Sequence, residues 1–398
     1  MKIANANWSY PTKIWFGAGR ISELPVACKE AGISRPLFVT DPGISKLPMV
    51  QSAVDDLARA GLQTSVFDAL QGNPTSVNLA DGIAAYRQGG HDGVVAFGGG
   101  SALDVGKTVA LMVGQTRPVW DFEDIGDNWR RAAAEAIAPI IAVPTTAGTG
   151  SEVGRATVIT DADHHVKKII FHPAMMPKIA ILDPELTVGL SPALTAGTGM
   201  DALSHAIEAF CAPSYHPMAD AIAIESVRLV KDYLPRAVRT GDDIEARGQM
   251  LSAAAMAATA FQKGLGAIHS VSHPIGALYG THHGLTNAVA MPYVIAFNAP
   301  AIGEKMQRLA TYLGLGGGKS LSQVAAVQAI NDWILELRSE IAIPPTIAEL
   351  GVGADRLTEI ARLAIVDPTA GTNPVPLTQN NVEELLAEMH AGTIRKIA

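Results

Sequence analysis

Four histidines crowd the stretch AIHSVSHPIGALYGTHHG, residues 267–284: His269, His273, His282 and His283. Imidazoles act as metal ligands, as proton carriers, or as hydrogen-bonded groups of a core. Asp201 and His205 stand four apart in TGMDALSHAIEAF (198–210), among good helix formers, so both side chains leave one helical face a turn apart. His269 and His273 repeat that spacing. Glu208, three beyond His205, is either a third candidate or a solvated charge. One carboxylate with several imidazoles suits a borderline ion such as Fe²⁺ or Zn²⁺ better than Mg²⁺ or Ca²⁺, which favour oxygen. Pro274 is expected to disturb a helix, and Gly276, Gly280 and Gly284 to turn the chain before His282 and His283. The two segments can meet only through tertiary packing, so spacing does not choose which histidines join Asp201 and His205.

A second kind of chemistry is readable in VVAFGGGSALDVGKTVALMVG, a strand, a glycine turn and a helix. Gly98, Gly99 and Gly100 let backbone approach a ligand, and the helix N-terminus offers N–H groups to a phosphate. The Walker pattern fails, because five residues rather than four separate Gly100 from Gly106 before Lys107. The dinucleotide fingerprint begun at Gly98 fails as well, since Leu103 stands where its third glycine belongs. What is left is a phosphate-friendly turn or a bare tight turn. Asp41 ends the apolar run LFVTD, where a carboxylate accepts hydrogen bonds from a ribose diol and repels a 2′-phosphate, or merely opens the Asp-Pro-Gly turn. PTTAGTGSE (144–152) adds a second loop of small and hydroxylated residues after a strand.

The elements that must position these groups follow two patterns. Short apolar runs at 35–43, 64–74, 92–101 and 139–150 alternate with helical segments at 49–61 and 76–90, which argues for a parallel sheet covered on both faces. ATVITD (156–161) and KIAILDPEL (178–186) are further strand candidates. Beyond about residue 190 the period becomes helical: MADAIAIESVRLVKDYL, EARGQMLSAAAMAATAF, and SQVAAVQAINDWILELRSEI with Val324, Val327, Ile330, Trp333, Ile334 and Leu337 on one stripe. The expected organisation is an α/β dinucleotide-binding domain over 1–188 and an all-helical metal-binding domain over 189–398, packed around a cleft. A net charge of −8 over 398 residues gives no excess of cations for nucleic acid. Two cysteines make no disulfide framework, no leader pattern opens the chain, and the apolar stretch before residue 150 is broken by Glu135, Pro139 and Pro144. A soluble cytoplasmic protein, outside the membrane, is the expectation.

The motifs GGGSALDVGK, PTTAGTGSEV, GMDALSHAIE and AIHSVSHPIGALYGTHHG, in this order and separation, resemble the iron-containing (group III) alcohol dehydrogenase family across essentially the whole chain. The resemblance implies NAD and a divalent metal, Fe²⁺ foremost with Zn²⁺ as the other choice. It implies Asp201, His205, His269 and His283 as metal ligands, and His273 as a catalytic residue near the substrate that does not bind the metal. His282 falls where many relatives have proline and is read as a non-ligand. For the cofactor the resemblance points to Asp41, Asn73, Gly99, Gly100, Ser101, Thr145, Thr146 and Lys167, with Lys168 as the alternative if the loop aligns one residue differently. A homodimer or higher homo-oligomer is expected.

The implied chemistry is oxidation of an alcohol whose oxygen is activated by a Lewis acid, with hydride passing to nicotinamide and the proton relayed by His273. FQKGLGAIHS, SEVGRATV and KKIIFHP look similar to members acting on 4-hydroxybutyrate. Lys263 or Arg155 would then pair with the far carboxylate of a small ω-hydroxy acid. Short alcohols without a carboxylate are the alternative substrates. Two other classes are weighed, a lyase like dehydroquinate synthase and a non-enzymatic nucleotide or metal sensor. The lyase would need a basic pocket for a phosphorylated substrate, and no Lys/Arg cluster surrounds the histidine motifs.

Overall fold

A computed structural model of the chain describes residues 10, 12–164 and 166–397. They form two compact units, 10–189 and 190–397.

The first unit is built on strands β1 (Lys13–Phe16), β2 (Pro36–Thr40), β3 (Ser65–Phe67), β4 (Gly93–Gly98), β5 (Ile140–Pro144), β6 (Ala156–Asp161), β7 (Val166–Phe171) and β8 (Ile179–Leu182), with helices α1 (Leu24–Glu30), α2 (Pro48–Arg59), α3 (Ser76–Gln88) and α4 (Gly100–Met112). Six strands make a sheet in the order β1-β8-β5-β4-β2-β3, every pairing parallel. Val95 at its centre pairs with Phe38 on one side and Ile141 on the other. Because side chains alternate along a strand, each central strand feeds two cores. Leu37, Val39, Val94, Ala96, Ile140 and Ala142 face one hydrophobic cluster; Phe38, Val95, Phe97, Ile141 and Val143 face the other. That is why these strands read as unbroken apolar runs rather than as alternation. β6 and β7 stand apart as an antiparallel hairpin.

Two strands were not foreseen. β1 is short and mostly exposed, and β7 interleaves Lys167 and Lys168 with apolar residues, so neither shows a buried run.

The second unit is helical: α5 (Pro192–Cys211), α6 (Pro217–Arg239), α7 (Ile244–Ala260), α8 (Ala267–Tyr279), α9 (His283–Tyr312), α10 (Gln323–Glu340), α11 (Leu357–Ala364) and α12 (Gln379–Ala391). α5, which carries Asp201 and His205, is buried along nearly its whole length and packs against α6, α7 and α9. Its C-terminal carbonyls are met by two ammonium groups. Lys263 Nζ donates to Phe210 O at 3.0 Å, and Lys305 Nζ to Phe210 O at 2.6 Å and Ala212 O at 2.7 Å. Cations at this helix end are favoured by its dipole.

Two expectations for this unit need correction. Pro274 does not end the helix around the second histidine cluster; α8 runs through it, and α9 runs through Pro292 and Pro300. A mid-helix proline costs about 3 kcal/mol, and full burial of neighbours such as Val271 and Ile275 offsets it. The α10 stripe is also rotated: Val324 is 47% exposed, while Ala326, Asn331 and Arg338 join Val327, Ile330, Ile334 and Leu337 on the buried face. α9 is long and apolar enough to cross a membrane, but 78% of its most apolar stretch is buried within the protein, as a core helix would be.

Candidate metal centre and cofactor loops

Helices of the second unit bring Asp201, His205 and His269 to one point, with His283 beside Asp201. The i, i+4 pair on α5 presents Asp201 and His205 from one face, α8 presents His269, and His283 is the first residue of α9. Asp201 Oδ1 lies 3.8 Å from His205 Nε2, 3.8 Å from His269 Nε2 and 3.6 Å from His283 Nε2. One ligand atom each of Asp201, His205 and His269 all fall within 4.8 Å of one another. Atoms bonded to a single ion at about 2.0–2.2 Å are separated by roughly this much. Three imidazole nitrogens and one carboxylate oxygen, nearly all buried, fit Fe²⁺ or Zn²⁺. His205 stacks on His269 with ring centres 4.6 Å apart, and His273 on His283 at 5.4 Å.

Behind this set lies a layer of fixed acceptors. Glu208 is buried and accepts from His269 Nδ1 at 2.6 Å and from the Ile268 amide at 2.6 Å. It is therefore neither a solvated charge nor one of the converging groups. It holds His269 with the proton on Nδ1 and leaves the Nε2 electron pair facing Asp201. Burial alone would lower the His269 pKa, but the carboxylates of Glu208, Asp201 and Asp367 together outweigh it and the pKa is raised. Asp367, far along the chain, holds the ring of His273: its Oδ2 meets Nδ1 at 2.8 Å, while its Oδ1 accepts from the Thr369 amide and hydroxyl. Burial pushes the Asp367 carboxyl up, yet His273 and Thr369 bring it below its ordinary value. Nothing in the sequence singled out Asp367, which stands some ninety residues from its partner. His282 caps α9, its Nδ1 accepting from the Leu285 amide at 3.3 Å, and burial lowers its pKa against the pull of Asp201.

Lys263 is placed differently from the expectation. Its ammonium is buried, ion-paired with Asp220 and bonded to Phe210 O, so its donors serve the end of α5 rather than a substrate carboxylate. Arg155, in the first unit, lies over the Phe171 ring at 5.5 Å, and Asp124 acts on its charge.

In the first unit the cofactor candidates gather at the C-terminal ends of β2, β4 and β5. Gly98 has φ +149°, and a Cβ there would stand 2.3 Å from Asp41 Oδ2. Asp41 Oδ2 accepts from the Gly99 amide at 2.9 Å, and burial raises its pKa against that bond. The Thr145 amide donates to Gly98 O at 2.9 Å, and Thr146 stands beside Gly99. Ser101 Oγ donates to Gly72 O at 2.8 Å, which ties the start of α4 to the loop holding Asn73. The third glycine missing at Leu103 is supplied at Gly106, where a Cβ would come within 2.7 Å of Ala96, so α4 lies directly on β4. Lys107, the residue that suggested a phosphate loop, is wholly buried and donates to Ser151 O at 2.9 Å and Ala156 O at 2.7 Å. Burial lowers it to about 8. Asp104 completes this latch by accepting from Ser151 Oγ at 2.6 Å and the Val158 amide at 2.9 Å. Lys168 is ion-paired with Asp161 at 3.0 Å, while its neighbour Lys167 acts on Asp104.

The family model of iron-containing alcohol dehydrogenase matches residues 11–184, and its C-terminal counterpart matches 195–390. The chain belongs to the iron-containing alcohol dehydrogenase family. It is an enzyme acting on CH–OH groups, which sets aside the lyase and the sensor. It is 40% identical to the 4-hydroxybutyrate dehydrogenase of Cupriavidus necator over 95% of this chain and 98% of that one. Identity to the NAD-dependent methanol dehydrogenase of Bacillus methanolicus is 34%, over 96% and 98%. The crystal structure of a 1,3-propanediol oxidoreductase superposes with a TM-score of 0.91 at 33% identity, covering 96% of this chain and all of that one.

Proposed function

We propose that this dehydrogenase interconverts a small ω-hydroxy acid, of the size of 4-hydroxybutyrate, with its semialdehyde, using NAD as the hydride carrier. The observation that carries the reading is the convergence of three imidazole nitrogens on Asp201 Oδ1. Asp201, His205, His269 and His283 would hold a divalent ion. Once bound, it supplies a Lewis acid that lowers the pKa of the alcohol and polarises the aldehyde.

The chain's own residues then have separate tasks. Glu208 keeps the His269 Nε2 electron pair turned to the centre. Asp367 keeps the His273 proton on Nδ1, so Nε2 is the atom that takes up the proton released by the alcohol. Asp41 accepts from the ribose hydroxyls and disfavours a 2′-phosphate, hence NAD. Gly99 by close backbone approach, the amides of Gly100 and Ser101, and Asn73, Thr145, Thr146 and Lys167 bind the rest of the dinucleotide. Lys167 is preferred to Lys168 because Lys168 is committed to Asp161. Of the two cations named for the substrate carboxylate, Lys263 is engaged by Asp220 and Phe210 O, and Arg155 is the one put to the test.

The test is kcat/KM for 4-hydroxybutyrate against 1-butanol, with Arg155→Leu measured beside the parent. The acid should be preferred by tenfold or more, and Arg155→Leu should erase most of that preference. A clear preference for butanol would remove the hydroxy-acid reading and leave an alcohol dehydrogenase of unfunctionalised substrates.

We also read the enzyme as a cytoplasmic homo-oligomer. Both cysteines are free and buried, and the edge strand β1 exposes Ile14 and Phe16, an apolar strip suited to a second copy. A monomeric mass by sedimentation equilibrium would exclude the oligomer.

A further inference from the structure

Asn287 lies one turn beyond His283 on α9 and is completely buried. Its amide nitrogen stands 2.8 Å from Asp201 Oδ1, 3.1 Å from His283 Nε2 and 3.2 Å from His269 Nε2. Three electron-pair acceptors therefore share one nitrogen that carries only two hydrogens. The other end of the same amide is bare: Asn287 Oδ1 is buried with no hydrogen-bond partner among the described residues. A buried amide ordinarily finds partners for both ends, because an unsatisfied acceptor is costly. Here the oxygen goes unserved while the donor end is turned to the ligands. Helix packing alone gives no reason for that arrangement, since leucine would fill a similar volume without stranding a polar atom.

We propose that Asn287 is a positioning residue of the metal centre, its side-chain N–H donating to Asp201 Oδ1 and holding that carboxylate against His269 and His283, and so setting how tightly the ion is bound. The proposal rests on the metal reading given above. Asp201 Oδ1 has electron pairs for both an ion and the Asn287 donor, so this hydrogen bond is compatible with ligation and restrains rotation of the carboxylate. The spacing also has a sequence origin. Asn287 follows His283 at i+4, as His205 follows Asp201, so each pair shares one face of its helix.

The experiment titrates metal-stripped protein with Co²⁺ against a chromophoric chelator and records the Co²⁺ visible absorption, which reports the ligand field. Asn287→Ala and Asn287→Leu are compared with Asn331→Leu, a control at another buried asparagine whose Oδ1 also lacks a partner, on α10. Circular dichroism shows which variants are folded, and either Asn287 variant alone suffices. The expected result is Co²⁺ binding weakened at least fivefold, in the region of 10–100-fold for a hydrogen-bonding partner of a ligand. An altered visible spectrum should accompany it, with Asn331→Leu matching the parent. A loss below fivefold, an unchanged spectrum, or an equal loss in Asn331→Leu overturns the positioning role while leaving the metal reading standing. If the parent itself takes up no Co²⁺, both fall together.

Discussion

In the helical unit the groups proposed to meet the ion and the alcohol proton are side chains, and other side chains hold them: Glu208 for His269, Asp367 for the proton carrier His273, Asn287 for Asp201. In the α/β unit the groups offered to the dinucleotide are mostly backbone amides and short hydroxyls at strand ends. What holds them there is steric closeness and buried struts: Gly98 against Asp41, Gly106 against Ala96, Lys107 under the β5–β6 connection. A centre of the first kind fails through loss of one charge or one electron pair. A loop of the second kind fails through addition of one methyl group. The two regions should therefore answer differently to subtraction and to addition of atoms.

The largest expected effect is at the metal centre. Asp201→Ala removes the oxygen common to the three nitrogen distances, and kcat/KM should fall about a thousandfold, equivalent to ~4 kcal/mol of lost transition-state stabilisation. Steady-state NADH formation checks this, and a loss of less than tenfold would show that Asp201 is not a ligand. Gly98→Ala adds a Cβ 2.3 Å from Asp41 Oδ2 at φ +149°. Stability should drop by about 3 kcal/mol, with NADH binding lost in whatever folds; a parent-like melting temperature and NADH affinity would break the contrast drawn above.

A third effect comes from the strut region. Burial raises the Glu152 carboxyl to about 7, opposed by its own amide and Lys107, against an unfolded value of 4.5. For an acid whose folded pKa is raised, the folded state binds more protons between those two values, so this group makes stability fall as pH rises from 4.5 to 7. The loss is complete above the folded pKa and is at most about 3 kcal/mol. Glu152→Gln should flatten that part of the pH profile measured by urea denaturation; an identical slope in the variant would place the charge elsewhere. Glu208→Gln is the smallest change, preserving shape but weakening the acceptor for His269. Metal affinity should fall about 10–100-fold, with NADH affinity unaltered. Equal losses of both would mean that Glu208 supports the fold in general and not His269 in particular.

The same contrast explains what could be read in advance. Asp201 with His205 was legible because four residues make one helical turn, and β2, β4 and β5 because a strand buried on both faces has no polar residue to interrupt it. Choosing His269 and His283 over His273 and His282 took the family resemblance, since tertiary packing decides which imidazoles meet Asp201. The position of Glu208 three residues beyond His205 does not distinguish a ligand from a solvated charge, because its partners are an amide and a ring sixty residues away. Lys263 was misread because a lone lysine near a histidine motif looks available until Asp220 and Phe210 O are seen to take it. Asp367 is hidden by its distance in sequence, and Asn287 because an asparagine four residues after a histidine in an apolar helix does not by itself tell a partner of the ligands from an ordinary core amide. Leu103 was a misleading negative, for the close helix–strand contact is made three residues later at Gly106.

Asp201, His205, His269 and His283 are proposed to hold one divalent ion on which alcohol oxidation depends. Metal content per chain, determined on protein purified without oxygen and compared between the parent and His269→Ala, tests it most directly when NADH formation is followed on the same samples. The expected result is about one iron or zinc per parent chain, and loss of metal and activity together in His269→Ala. Full metal content with full activity in that variant would contradict it.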